Sequence, residues 1–216
     1  MTFDLLPRTI AGVHLPDSRL AQEAYELVRE VSPACVLNHT LRSYVFGALV
    51  ADQQRMRYDQ ELFFLAAIMH DLGLTETYRG EERFEVVGAD AAVAFLDRRG
   101  VSVEKQSLVW DAIALHTSIG IASRKEAEVA LVHIGAGVDV LGLHLDEMPS
   151  ELIARTLEIL PRHDFKTSFW KVLTQTVIQS PRAAPVTWLA EIVRQEASDC
   201  KCPSFQELMS EAAFDE

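Results

Sequence analysis

The sequence predicts an all-α protein, a single-domain helical bundle. Three observations carry this. Apolar residues recur at helical spacing from end to end, and strand-type alternation is absent. The segment ELFFLAAIMHD, residues 61–71, is apolar on almost every face, as the buried centre of a bundle is.

The elements follow in order. Pro16-Asp17-Ser18 supplies a start signal for a helix over 19–31, and Ser32-Pro33 breaks it. A second helix carries His39 through Ala51, with Leu41, Tyr44, Val45, Ala48 and Leu49 as its apolar stripe. The third is 61–71, ended by Leu72-Gly73-Leu74, with Gly73 the natural stop. A polar stretch, 75–82, precedes helices near 85–98 and 104–116, separated by Gly100. The next strong pattern, 124–143, contains Asp139. Shorter helices near 151–160, 165–179 and 187–195 are punctuated by Pro161, Pro181 and Pro185. A tail helix follows over about 204–213, beyond a domain core of about 19–195. No repeat, low-complexity segment or interdomain linker interrupts the 216 residues.

A net charge of −12, from 32 acidic and 20 basic residues, argues against nucleic acid or an anionic membrane as partner, since both select a positive footprint. A small-molecule substrate fits, and a phosphorylated one would need a local basic pocket. Phe165, Phe169, Trp170 and Trp188 suit core packing or a homo-oligomer interface equally. The N-terminus lacks the basic and apolar regions of a signal peptide, and the run Leu62 to Met69 is too short to span a membrane. Three cysteines do not make a disulfide framework, so the expectation is a cytoplasmic protein with reduced thiols. Cys200-Lys-Cys202 has no second ligand pair at finger spacing and reads as two loop thiols.

The chemistry lies in His70-Asp71, with His39 upstream and Asp139 downstream. A His-Asp dipeptide alone arises by chance in roughly a quarter of chains this long, and this chain has a second, His163-Asp164, in a polar loop where solvation or capping explains it. Context separates the two. His70-Asp71 ends an apolar run, where an ionised carboxylate is costly to bury without a partner, and a metal ion is the simplest compensation. Asp139 is a second carboxylate in an apolar segment, LVHIGAGVDVLGL. Its helical neighbours Gly135, Ala136 and Gly142 make room either for a metal and its ligands or for a closely packed helix. Two imidazoles and two carboxylates suit zinc, iron, manganese, cobalt or nickel rather than thiolate-seeking metals. Water on such an ion loses a proton near neutral pH.

His116 ends the segment DAIALH. It suits helix C-terminal charge compensation or an acid/base role beside the metal, and the apolar run before it favours the second. His133 lies about 120° around the helix from Asp139 and reads as structural. His14 and His144 have surface or packing roles.

These residues, in this order on helices, resemble the HD superfamily of metal-dependent hydrolases, and RFEVVGADAAVAFL (83–96), AIALHTSIGIA (112–122) and LPRHDFKTSFW (160–170) look like the cyanamide hydratase-type HD proteins. The likeness runs from about residue 19 to 192. It implies an HD-type all-α fold, the ligand set His39, His70, Asp71 and Asp139, zinc as the ion, and addition of water to a nitrile carbon with His116 and Asp71 as the catalytic pair. Glu76, Thr117 and Ser118 are then candidate pocket residues. The competing expectation is a phosphohydrolase, which needs a cation for phosphate. Arg42, one turn after His39, is the best candidate, with Arg79 and Arg83 behind it. A non-catalytic protein with a structural metal is disfavoured by a complete buried ligand set, and a two-iron oxygenase by the scarcity of core histidines.

Overall fold

Ser18 opens helix α1 (Arg19–Val31) by accepting the amide hydrogen of Ala21 on its hydroxyl, which satisfies one of the donors left bare at a helix start. The computed structural model describes residues 7–180, 184–197 and 202–213, and these are predominantly helical. After α1 come α2 (Ala34–Gln54), α3 (Gln60–Met69), α4 (Phe84–Asp97), α5 (Val103–Ala114), α6 (Ala127–Leu141), α7 (Ser150–Ile159), α8 (Phe165–Gln179), α9 (Leu189–Glu196) and α10 (Phe205–Ser210). Tight turns of 3₁₀ helix occupy Leu72–Leu74, Ala122–Arg124 and Leu145–Glu147. A small antiparallel ribbon, β1 (Thr9–Ile10) with β2 (Val13–His14), precedes the helices. Two residues per strand are too few to show alternation, so the sequence pattern misses it. No described helix is long and apolar enough to cross a membrane.

The expectation of an all-α bundle holds, and α3 is its centre: every residue from Leu62 to Met69 is buried. α2 is buried from His39 through Ala51 and packs along α6. The two backbones touch where glycine removes the side chain. A Cβ on Gly47 would fall 2.7 Å from the Leu131 carbonyl oxygen, and one on Gly135 would overlap the carbonyl of Ser43. Of the two readings of the small residues around Asp139, the close helix–helix contact is the one seen. An ion pair locks the same seam: Arg42 on α2 donates to Asp139 on α6 through Nε and Nη2, at 2.7 and 2.9 Å, and both side chains are wholly buried. A second, smaller apolar cluster joins α8 and α9 to Val36 at the start of α2, to Leu74 and to Phe84.

Three local expectations need correcting. The helix expected to run through Asp71 stops at Met69, with His70 as its cap, and Asp71 turns off the axis at φ −104° and ψ 15°. Gly73 is required by packing rather than by a left-handed backbone, because a Cβ there would overlap the carbonyl of Phe84. Gly142, expected inside a helix, is instead the left-handed cap of α6 at φ 75°. Pro181, Cys200 and the first six residues lie outside the described residues. Cys202 is a free thiol packed on the second cluster.

Two expectations follow for stability. Gly135→Ala should lower the unfolding free energy by about 2–3 kcal/mol, although alanine is the better helix former by about 1 kcal/mol; urea midpoints measure this. Burial alone would push the Asp139 carboxyl up, but hydrogen bonds from His39 and Arg42 outweigh it and hold it at about 2, against an ordinary value of 3.8. A depressed acid stabilises above its unfolded value, so the contribution is full above about pH 4 and fades as pH falls toward 2. Denaturant titrations of metal-free protein should lose about 2 kcal/mol across that window through this group, a loss missing in Asp139→Asn, which starts lower at neutral pH because Arg42 is left unpaired.

Candidate metal centre

His39 reaches the centre from α2, one turn before Arg42; His70 from the end of α3; Asp71 from the turn that follows. Successive residues of a helix point about 100° apart. By leaving the helix after His70, the chain brings both side chains of the His-Asp pair to one point. His70 Nε2 lies 3.2 Å from His39 Nε2, and Asp71 Oδ2 lies 3.5 Å from each. All three residues are buried, and together they form a group able to hold a metal ion.

The partners of the far ring nitrogens assign the tautomers. His70 Nδ1 lies 2.6 Å from the carbonyl of Ala67, and a carbonyl can only accept, so Nδ1 carries the hydrogen and Nε2 is bare. His39 Nδ1 lies 2.7 Å from Asp139 Oδ2, so in the neutral ring its Nε2 is bare as well. His116 repeats the device: Nδ1 is 2.6 Å from the Ile113 carbonyl, and Nε2 faces Asp71 Oδ1 at 3.8 Å. Acceptor atoms thus converge without a hydrogen between them, and Asp71 Oδ2 has no hydrogen-bond partner at all. Such an assembly is repulsive unless a cation sits in it. The spacing fits one. Donors at about 2.0–2.1 Å in a tetrahedral shell stand roughly 3.3–3.4 Å apart, close to the separations among His39, His70 and Asp71.

Burial lowers the His70 pKa and outweighs the opposing charge of Asp71. Burial, followed by the adjacent His70, pushes His116 down to about 3. Phe165 and Phe169 on α8 cover His39, with ring centres 5.4 and 5.0 Å away. Phe84 packs edge-on against His116 at 5.7 Å.

Asp139, expected as a fourth ligand, is placed behind His39 rather than among the converging donors. Its Oδ2 takes the bonds from His39 and Arg42 Nη2, and its Oδ1 those from Arg42 Nε and Arg162 Nη1, the latter at 2.5 Å. It thereby fixes the His39 tautomer and orientation, as carboxylates behind metal-bound histidines do. Arg42, expected to face a substrate phosphate, is fully buried, and its Nη1 also donates to the carbonyls of Leu160 and Pro161 at 3.2 Å. Arg79 bonds the Leu74 carbonyl and Gln179. Thr117 donates to Glu85 at 2.6 Å, Ser118 is half-buried, and Glu76 is exposed. His133 is structural, its Nδ1 donating to the His116 carbonyl at 2.7 Å. The decoy pair His163-Asp164 is exposed, with Asp164 making no side-chain cap to α8.

Two residues here escape sequence reasoning. Arg162 stands next to the decoy pair, where nothing marks it. Glu85 looks like an ordinary acidic residue in the first turn of a helix, yet it is wholly buried. Burial opposes its ionisation, but the hydrogen bonds from Arg83 and Thr117 prevail, and its pKa is lowered.

The comparison with protein families agrees with this geometry. No curated protein matches the chain. The family model described as HD domain matches residues 36–162, more than half of the chain, and the matched span holds His39, His70, Asp71, His116 and Asp139. The chain therefore belongs to the HD domain family, whose members are generally metal-dependent hydrolases.

Proposed function

We propose that the protein adds water to a small, uncharged substrate, a cyanamide-like nitrile, at a single zinc ion held by His39, His70 and Asp71. The observation that carries this is the convergence of unprotonated donors on one buried point, with Asp71 Oδ2 left without a hydrogen bond. A divalent ion bound there supplies the Lewis acidity that activates water near neutral pH.

The chain's own residues do the rest. Asp139 holds His39 with its donor nitrogen inward. Asp71 places one oxygen toward the two imidazoles and the other toward His116. His116 presents a bare Nε2 there and stays neutral at working pH. A proton it takes is weakly held and passes on to the substrate nitrogen as the water oxygen bonds to carbon; the product is an amide. The phenylalanines over His39 keep bulk water away.

Charge supports a neutral substrate over a phosphate ester. Arg42 and Arg162 are bonded to Asp139, and Arg83 to Glu85. These three arginines are thus matched to carboxylates of the protein, whereas phosphate binding calls for a cation free to face it.

Purified, zinc-loaded protein should convert cyanamide to urea, and His116→Gln should retain the metal while kcat drops about 100-fold or more. Full metal occupancy with no urea, together with turnover of a generic phosphate ester, would reverse the assignment. Asp71→Asn separates ligand from scaffold. It should bind zinc at least tenfold more weakly, while the metal-free form is no less stable than wild type, because an amide can donate where the carboxylate only repels. Unchanged zinc stoichiometry in a dilution series would remove Asp71 from the ligand set.

A further inference from the structure

Past residue 162, where the family match ends, the chain brings one more residue to the site. Trp188, just before α9, lays its ring edge-on against Phe84 at 6.3 Å, and Phe84 is the residue that packs on His116. The indole nitrogen also points at Glu85, whose Oε1 gathers three donors of unequal quality. Thr117 Oγ1 is at 2.6 Å and Arg83 Nη2 at 2.8 Å. Trp188 Nε1 is at 3.4 Å, the outer limit of such a bond. Glu85 is wholly buried, whereas Trp188 is 43% exposed. The weakest donor on a buried carboxylate is therefore one that reaches solvent.

We propose that Glu85 and Trp188 form the substrate-selecting subsite beside the centre, taking the N–H of a small neutral amino or amide group on the Glu85 oxygen in place of the indole N–H. Three features give this its specificity. The carboxylate can only accept, so it selects molecules with a donor hydrogen. Its partner Arg83 balances its charge, so neither an anion nor a cation gains from entering. The Phe84 ring packs on both Trp188 and His116, and Thr117, which donates to Glu85, follows His116 in the chain, so the subsite adjoins the His116 side of the centre. The subsite rests on the proposed chemistry for its purpose, but its binding can be read without turnover.

The test uses formamide and acetamide as neutral probes, with acetate and inorganic phosphate as anions. The readout is the tryptophan fluorescence that wild type has and Trp188→Phe lacks, titrated with and without zinc. Both amides should change that signal saturably, and the anions should leave it unmoved. Glu85→Gln should weaken amide binding about tenfold and raise the KM for cyanamide, and Trp188→Ala, which removes the competing indole donor, should change the KM for cyanamide and widen the range of amide sizes accepted. Circular dichroism of the half-exposed Trp188 variants confirms folding. Amides that leave the Trp188 signal flat, or bind Glu85→Gln as well as wild type, overturn the subsite. Amide binding that persists in a protein without hydratase activity upholds the subsite and removes the proposed reaction instead. Hydratase activity with KM unchanged in both Glu85→Gln and Trp188→Ala removes the subsite alone.

Discussion

The structure depends on the seam between α2 and α6. Gly47 and Gly135 let the two backbones touch, and the buried Arg42–Asp139 pair ties them together. An isolated charge at that depth would be prohibitive, and a pair with fewer than its full complement of bonds would still be costly. Here both oxygens of Asp139 and the Arg42 fork are occupied. The same contact aims His39, which sits one turn from Arg42 and leans on Asp139. Fold and chemistry thus share one interaction.

Most of the fold was legible because helices announce themselves locally. The periodicity, the Ser18 cap and the apolar run of α3 are written in neighbouring residues, and α1 and α8 occupy the expected spans. What escaped was set by distant contacts. The role of Gly73 is imposed by Phe84, which the chain reaches only after a polar stretch. The departure of Asp71 from the helix serves a point in space defined by His39 and His116, and no local pattern encodes it.

The site divides along the same line. His39, His70 and Asp71 could be found because imidazoles and a carboxylate beside apolar residues are anomalous in themselves. His116 could be suspected on the same ground. Asp139 was found but given the neighbours of a ligand; its actual partners, Arg42 and Arg162, are cations whose positions depend on how α2 and the 160–164 turn meet α6. Glu85 was missed because the residues that meet it, Thr117 and Trp188, come from distant parts of the chain.

One feature of the centre bears on how the protein matures in a cell. His39 and Asp139 stand 100 residues apart and touch only once α2 and α6 have docked, and His70 and Asp71 converge only after the chain leaves α3. A nascent or unfolded chain therefore offers scattered donors rather than a chelating pocket. An ion held by those donors would join as a ligand of the finished fold, and its binding energy would add to the folding equilibrium in proportion to the logarithm of free metal. The stability of the fold would then track the metal supply.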